Sequence, residues 1–266
     1  MAAILSAEHL SKSYTLKKLL TDVTIYVGEH DRIGVVGVNG TGKSTLLKLL
    51  SGLDEPDGGV VMRKNGLRVS YLPQMPDYSV ARTAVQQVLF DAPKDVGAPD
   101  EYEAKALLSQ FGISDFDADV RTLSGGQKKR VAIAGVLAMN PKILILDEPT
   151  AGLDPKGRDD ILDQIAELHK VRGITIILVS HSMEDIAKYA ERLIVVNDGE
   201  IAYDDAPKAV FAHYRELEAM GLAAPQITYI MHALKEKGMD VPTDATTIEE
   251  AADGIMKALK KERAAK

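Results

Sequence analysis

Eight consecutive residues decide the fold of this chain: Gly37-Val38-Asn39-Gly40-Thr41-Gly42-Lys43-Ser44. They match the pattern G-x-x-x-x-G-K-[ST], in which backbone N–H groups turn inward around the phosphates of a nucleotide. A short β-like run, Arg32 to Val36, precedes them, and a helix-forming stretch, Lys43 to Leu50, follows. This placement between strand and helix argues against the alternative, a glycine-rich turn without a ligand.

Several residues of this loop are expected to contact the nucleotide. The helix that follows presents its positive N-terminal end to the phosphates. Lys43 adds a full charge, and the Ser44 hydroxyl is a ligand for Mg²⁺. The expected contacts are Gly37, Asn39, Gly40, Thr41, Gly42, Lys43, Ser44 and Thr45.

A second motif lies about a hundred residues downstream, where the apolar run Ile143 to Leu146 ends in Asp147 and Glu148. The continuous apolar run predicts a strand that is buried on both faces. Two adjacent acids at its end are costly to bury unless they serve a cation or a proton. We therefore assign Asp147 to Mg²⁺. Glu148 is assigned to the attacking water, as general base or as the group that orients it.

Short strands alternate with helical stretches over most of the chain. The strands are predicted at Ile4 to His9, Val23 to Val27, Arg32 to Val36, Val60 to Arg63, Leu67 to Tyr71, Ile143 to Leu146, Ile174 to Ser180, Leu193 to Val196 and Glu200 to Tyr203. This order predicts an α/β fold with a mostly parallel central sheet. An all-helical insertion between about residues 76 and 140 is predicted to form a lobe beside it.

The chain beyond Pro207 is predicted to be helical. Two apolar stripes are expected there, one at Ile227, Ile230, Met231 and Leu234 and one at Ile248, Ile255 and Leu259. These stripes need a surface to pack on. We therefore predict two parts, a nucleotide-binding domain over residues 1–205 and a helical extension over residues 206–266 that is a candidate dimerisation element.

Composition excludes several classes of function. The 266 residues carry a formal net charge of −7, which argues against broad non-specific binding to nucleic acid. Cysteine is absent, so disulfides, thiolate metal sites and a cysteine nucleophile are excluded. No apolar run approaches the roughly 18 residues that a spanning helix needs, and the N-terminus lacks the features of a signal peptide. We expect a cytoplasmic protein, whose membrane partner, if it has one, is a separate chain.

A third motif, Leu123-Ser124-Gly125-Gly126-Gln127, completes a resemblance to the ATP-binding cassette (ABC) ATPases. The resemblance implies a P-loop nucleotide-binding fold with an antiparallel β subdomain and a helical lobe, and ATP and Mg²⁺ as cofactors. It implies that Ser124, Gly125, Gly126 and Gln127 bind the γ-phosphate of a nucleotide held by a second ABC domain. A capped helix start, with Ser124 as N-cap, is compatible with that role.

The same resemblance assigns four more positions. Tyr14 is similar to the aromatic residue that stacks on adenine, and Gln74 to the glutamine that touches Mg²⁺ and the water. Asp154 resembles the aspartate that braces the dimer, and His181 the histidine that contacts the γ-phosphate. The expected catalytic residues are thus Glu148, His181 and Gln74, and the expected metal ligands are Ser44, Gln74 and Asp147.

These assignments predict a head-to-tail dimer, homomeric or heteromeric, that closes over two ATP molecules. Each nucleotide is gripped by Lys43 and Ser44 of one chain and by Ser124 and Gly126 of the other. One molecule therefore does not complete a site alone.

Within the ABC superfamily, the two halves of the chain resemble different families. The first half, with DRIGVVGVNGTGKSTLLKLLSGLDEPDGG at residues 31–59, is similar to the ABC-F family, soluble tandem ATPases that act on the ribosome. The second half, with GITIILVSHSMEDIAKYAERLIVV at residues 173–196, is similar to the ATPase subunits of energy-coupling-factor importers of vitamins and metals. We interpret this as a mosaic, an engineered or recombined chimera with a junction between Arg130 and Pro141.

Three functions fit these resemblances. The favoured one is the energising ATPase of a membrane importer, peripheral to the cytoplasmic face of the membrane and bound to a transmembrane subunit. The second is an ABC-F-type translation factor on the ribosome, although a second ABC domain and a long charged linker are not found in this sequence. The third is an engineered ATPase without a coupling partner. Co-purification with a membrane subunit, with ribosomes or with neither discriminates between them.

Overall fold

The computed structural model describes residues 3–14, 17–91 and 99–264. The strands are β1 (Ala3–Tyr14), β2 (Lys17–Gly28), β3 (Arg32–Val36), β4 (Gly58–Arg63), β5 (Val69–Leu72), β6 (Ile143–Asp147), β7 (Thr175–Val179), β8 (Arg192–Asn197) and β9 (Glu200–Asp205). The helices are α1 (Lys43–Ser51), α2 (Ala84–Asp91), α3 (Glu101–Gln110), α4 (Gly125–Ala138), α5 (Pro155–Arg172), α6 (Met183–Tyr189), α7 (Pro207–Ala212), α8 (Tyr214–Ala219), α9 (Gln226–Glu236) and α10 (Ile248–Ala264). A 3-10 turn covers Val120–Thr122.

The central sheet has the strand order β5-β6-β7-β3-β8-β9 and is parallel except for β9. The prediction of a mostly parallel sheet is therefore confirmed. Every residue of β6 and of β7 is buried. Apart from Asp147 at the end of β6 and Thr175 at the start of β7, their sequences are continuously apolar, because both faces of these strands are covered.

Alternate residues of the central strands supply two hydrophobic cores on opposite faces of the sheet. Ile143 and Ile145 belong to the core shared with α1 and the antiparallel sheet. Leu144 and Leu146 belong to the core shared with the helical lobe. Successive side chains of a strand point to opposite faces, so this one strand serves both cores.

A second, antiparallel sheet has the order β2-β1-β4. Its strands β1 and β2 are longer than the predicted Ile4 to His9 and Val23 to Val27. The pairing contains register shifts, and His9 and Asp22 have positive φ angles of 55° and 54°. Such bulges interrupt the alternation of apolar and polar residues, which is why the sequence pattern covers only part of each strand.

The helical lobe consists of α2, α3 and α4. It is less uniformly helical than predicted, because its first helix begins at Ala84 and not near residue 76. Thr83 pairs with Asp119 in an isolated antiparallel bridge. This bridge joins the segment before α2 to the segment between α3 and α4. The predicted interruption at Ala92 to Pro99 falls mostly on residues 92–98, which lie outside the described residues.

The C-terminal helices divide into two groups. Val210, Phe211 and Leu217, on α7 and α8, pack into the core on the lobe side of the sheet. The later helices α9 and α10 and the connection between them build a small separate core, which contains Met231, Val241, Ala245, Ala251 and Ala258. Of the two predicted stripes, Ile230 and Ile248 are instead exposed, at 48% and 70%. Over the described ranges, we find no helix with the length and apolar character needed to cross a membrane.

Candidate functional site

The predicted catalytic motifs lie at the carboxyl ends of three neighbouring parallel strands, at one edge of the sheet. In the order β6-β7-β3, Asp147 ends β6, His181 follows β7, and the phosphate loop follows β3. The carboxyl ends of parallel strands meet at the same edge, where ligands of open α/β sheets bind. Motifs separated by more than a hundred residues of sequence therefore lie together.

The phosphate loop depends on glycines at two left-handed positions, Gly40 with φ 83° and Gly42 with φ 100°. A Cβ atom on Gly42 would lie 2.4 Å from the carbonyl oxygen of Leu19, so a side chain has no room there. Lys43 is buried, and its ammonium donates to the carbonyl oxygens of Gly37 at 2.6 Å and of Val38 at 3.1 Å. Burial lowers the pKa of Lys43, an effect that the carboxylates of Glu148 and Asp147 oppose.

Glu148 is the centre of the cluster that was predicted to be catalytic. Its Oε2 accepts a hydrogen bond from the Nε2 of Gln74 at 2.7 Å, and its Oε1 lies 2.8 Å from the Nε2 of His181. The structure thus brings these three residues together, although 74 positions of sequence separate Gln74 from Glu148. The two contacts hold both oxygens of the carboxylate, and so they fix its orientation.

Asp147 is 3% exposed and has a partner that the sequence reasoning missed. The hydroxyl of Tyr71 donates to its Oδ2 at 2.9 Å. Burial, reinforced by the negative charge of Asp147, raises the pKa of Tyr71, so the hydroxyl remains a donor. The only signal in the sequence was a tyrosine three residues before Gln74, which has no meaning until β5 pairs with β6.

The motif around Ser124 forms the start of α4. Ser124 accepts from the backbone N–H of Gln127 at 3.3 Å, and the Gln127 side chain accepts from the backbone N–H of Ser124 at 3.0 Å. This reciprocal capping box leaves the first turn of α4 on the surface, with Gly125 exposed and Gly126 half-buried. The helix start is therefore available to a group outside this chain.

Tyr14 and Asp154 lie apart from the Glu148 cluster in their contacts. The Tyr14 hydroxyl donates to Asp54, and the ammonium of Lys12 lies 5.4 Å from the centre of the Tyr14 ring. Asp154 is exposed and precedes Pro155 at the start of α5, without a capping bond from its side chain. Their assigned roles stay predictions.

A cavity of about 710 Å³ borders the phosphate loop. Val38, Asn39 and Thr41 line one side of it. Glu216 and Met220 line it from the C-terminal extension, on and just after α8. No pattern in the sequence connected these two residues with the nucleotide loop, because only the packing of α8 brings them there.

Comparison with known proteins extends these observations. The ABC transporter family model matches residues 20–151. The energy-coupling factor transporter ATP-binding protein EcfA2 of Clostridium tetani is 42% identical over 260 residues, which cover 91% of this chain and 90% of that protein. The structure of cbiO1 from Clostridium perfringens, part of the ABC transporter complex cbiONQ, superposes with a TM-score of 0.70 at 31% identity and covers 88% of this chain and all of the other. A bacterial ABC transporter cassette described as dimeric superposes with a TM-score of 0.68 at 27% identity, over 76% of this chain and 98% of the cassette.

The similarity to EcfA2 includes both halves of the chain, since it covers 91% of the residues. The comparisons therefore do not support a first half from the ABC-F family or a chimera with a junction between Arg130 and Pro141. The segment at residues 31–59 contains the phosphate loop, and a phosphate-loop pattern is set by phosphate binding and does not distinguish one ABC family from another. The chain belongs to the ABC ATPases, in the family of ATP-binding proteins of energy-coupling factor transporters.

Proposed function

We propose that this protein binds and hydrolyses ATP to energise a membrane importer of the energy-coupling-factor type. The observation that carries the proposal is the Glu148 carboxylate, held by Gln74 and His181 at the sheet edge that also carries the phosphate loop. Phosphoryl transfer to water needs a positioned water-activating group beside a phosphate cradle, and these residues supply both.

In the proposed reaction, the phosphate loop holds the triphosphate through its backbone N–H groups, and Lys43 and the start of α1 add positive charge. Glu148 orients the attacking water and accepts its proton. Gln74 and His181 hold the carboxylate so that it points in one direction. Tyr14 is proposed to stack on the adenine ring.

Mg²⁺ is proposed as the cofactor. Ser44, Gln74 and Asp147 offer hard oxygen donors, and the Gln74 amide uses its nitrogen for Glu148, which leaves its oxygen for the metal. The described residues contain no cluster of three or more acidic or histidine side chains able to cage a metal on their own. Mg²⁺ usually binds through one or two protein groups together with substrate phosphates, so the donor set fits. When bound, the ion neutralises charge on the transferring phosphate.

A second ABC domain is proposed to complete each site, in a homodimer or a heterodimer. Support comes from the surface position of the α4 start, with Ser124 capped and Gly125 exposed. The dimeric state described for a similar bacterial cassette supports it as well. Asp154 is proposed to brace this interface. The extension over residues 206–266 is proposed to add to it, because Ile230, Ile248 and Met256 expose apolar surface there.

A transmembrane subunit is the proposed coupling partner. Four large apolar side chains are exposed between the residue after Gln74 and the start of α3, namely Met75 at 86%, Val80 at 50%, Phe90 at 54% and Tyr102 at 80%. Two of these side chains, Phe90 and Tyr102, lie on helices of the lobe, and the other two precede it. Exposed apolar side chains that lie close together are typical of a protein-binding surface. Docking of this lobe to a membrane subunit keeps the protein peripheral to the cytoplasmic face.

The experiment compares Glu148→Gln and Lys43→Ala with the parent protein. Glu148→Gln is expected to bind ATP normally and to lose turnover by about 10²–10⁴-fold, because it removes the proton acceptor and keeps the shape. Lys43→Ala is expected to weaken ATP binding itself, as measured by titration calorimetry. Equal turnover in Glu148→Gln and the parent would refute the assigned catalytic role.

Two further measurements test the partners. Light scattering of Glu148→Gln with Mg-ATP is expected to show a dimer, and a monomer under these conditions contradicts the shared site. Pull-downs from membranes and from ribosomes, with and without ATP, are expected to recover a membrane protein. Recovery of ribosomes alone contradicts the importer.

A further inference from the structure

Lys129 is a buried lysine that none of the assigned motifs uses. It lies on α4, five residues after Ser124, and is 8% exposed. Burial lowers the pKa of its ammonium, and the carboxylates of Glu148 and Asp147 oppose this effect. A buried ammonium needs hydrogen-bond acceptors in place of the water it has lost, so its acceptors reveal its role.

Both described acceptors belong to the catalytic cluster. The Nζ of Lys129 donates to the backbone carbonyl of Gln74 at 2.5 Å and to the backbone carbonyl of Glu148 at 3.3 Å. The side chains of Gln74 and Glu148 meet each other at 2.7 Å. One ammonium therefore bridges the main chain of the two residues whose side chains form the catalytic contact.

Glu148 needs such support because of its backbone. Its φ angle is 49°, in the left-handed region that a residue with a Cβ atom rarely adopts. Its N–H donates to the carbonyl oxygen of Val179 at 3.2 Å, and its own carbonyl accepts both from the N–H of Ala151 at 3.2 Å and from Lys129. The peptide groups on both sides of this unfavourable conformation are thus held, and strained residues persist only where their surroundings hold them.

The same helix carries the motif that is proposed to bind the nucleotide of a second chain. A rise of about 1.5 Å per residue puts Lys129 about 7.5 Å along α4 from Ser124. Because a helix moves as a rigid element, displacement of the Ser124 end also displaces the Lys129 ammonium. The contact of Lys129 with Gln74 and Glu148 therefore depends on where α4 lies.

We propose that Lys129 is a positioning residue for ATP hydrolysis, which holds Gln74 and Glu148 in their hydrolytic arrangement only while the helix of the Ser124 motif is seated. This inference rests on the proposed role of Glu148. It adds a direct link between the nucleotide cradle offered to the second chain and the water-activating carboxylate of the first.

The test uses the full chain and the variants Lys129→Met, Lys129→Gln and Lys129→Arg. Lys128→Met is the matched control, because it removes the same charge from the neighbouring, half-buried position on α4. The kcat and KM for Mg-ATP, the affinity for ATP and the melting temperature are measured. Lys129→Met is expected to lower kcat by about 100-fold, the effect of misplacing a catalytic group by about 1 Å.

The pattern across the other measurements separates positioning from a purely structural role. KM and ATP affinity are expected to change by less than about threefold, because Lys43 and Ser44 are untouched. Lys129→Arg, which keeps a long cationic donor, is expected to recover kcat to within about tenfold of the parent. Lys128→Met is expected to match the parent.

Several outcomes would overturn the proposal. One is a kcat of Lys129→Met within about threefold of the parent, and another is a rise in KM that accounts for the whole loss in kcat/KM. If Lys129→Met does not fold, Lys129→Gln gives the same comparison, because its shorter amide keeps a buried donor without spanning both carbonyls. Glu148→Gln, measured alongside, keeps the two proposals apart. Undiminished turnover in Glu148→Gln refutes the role of Glu148. If Glu148→Gln loses turnover while Lys129→Met keeps the kcat of the parent, only the role of Lys129 is refuted.

Discussion

Replacement of Tyr71 by phenylalanine removes one oxygen atom and tests how the acidic strand end is stabilised. That oxygen donates to Asp147 at 2.9 Å, and Asp147 is 3% exposed. Tyr71→Phe therefore leaves a buried carboxylate oxygen without this donor, while the ring that packs beside it is retained.

The expected magnitude follows from the kind of bond that is lost. A hydrogen bond to a charged group contributes about 1.5–3 kcal/mol, so we expect the free energy of unfolding to fall by about 2 kcal/mol. For a chain of this size, that corresponds to a decrease in melting temperature of about 4–8 °C. Since Asp147 is a proposed Mg²⁺ ligand, the Mg²⁺ concentration for half-maximal turnover is expected to rise as well.

The assay is urea unfolding followed by circular dichroism, with Tyr26→Phe as control. Tyr26 is 49% exposed on β2, so loss of its hydroxyl is expected to change the free energy of unfolding by less than about 0.5 kcal/mol. A loss below about 0.5 kcal/mol in Tyr71→Phe would refute the reasoning, because the buried bond would then contribute no more than an exposed hydroxyl. An equal loss in both variants would refute it too.

Three further substitutions test other features. Gly42→Ala is expected to weaken ATP binding in a calorimetric titration. The added Cβ would lie 2.4 Å from the carbonyl oxygen of Leu19, and the left-handed backbone alone costs a residue with a Cβ about 1–2 kcal/mol. Unchanged affinity for ATP would contradict this. Ser124→Ala is expected to cost about 1 kcal/mol of stability through the lost cap to Gln127 and to reduce dimer formation with Mg-ATP, and a normal dimer in light scattering would count against the shared site. Burial raises the pKa of Asp91 in the folded protein above its unfolded-state value near 3.8. The folded protein therefore binds this proton more tightly than the unfolded chain, which stabilises the fold. This stabilisation is fully present below about pH 3.8 and is lost as the pH rises through the folded-state pKa. Asp91→Asn is therefore expected to stabilise the protein more at about pH 7 than at about pH 4 in urea unfolding, and a pH-independent effect would disprove the burial effect.

The family resemblance illustrates where short segments mislead. Residues 31–59 suggested one family and residues 173–196 another, which led to the mosaic interpretation. The first of these segments contains the phosphate loop, whose residues are dictated by phosphate binding in the whole superfamily. Such a segment therefore indicates phosphate binding, but it does not distinguish one family of the superfamily from another. The comparison over 91% of the chain identified the family, because it also weighed residues without a role in the site.

The sequence alone determined the features that depend on neighbours along the chain. The glycine-lined phosphate loop, the buried run that ends at Asp147 and the N-cap at Ser124 are all local, so the sequence predicts them. The left-handed φ angles of Gly40 and Gly42 were seen only in the structure. The order of buried strands and helices also determined the mostly parallel sheet, because parallel strands require covering helices.

The family resemblance assigned Gln74, Glu148 and His181 to one site, but only the tertiary structure decided which side chains contact each other. The contacts of Glu148 with Gln74 and His181, of Asp147 with Tyr71, and of Lys129 with two backbone carbonyls join separate elements of the fold. These contacts depend on strand order and helix position, and neither has a local signature. A buried lysine on α4 and a tyrosine on β5 acquire their roles only when the lobe and the sheet pack together, because hydrogen bonds act over about 3 Å of space and not along the chain.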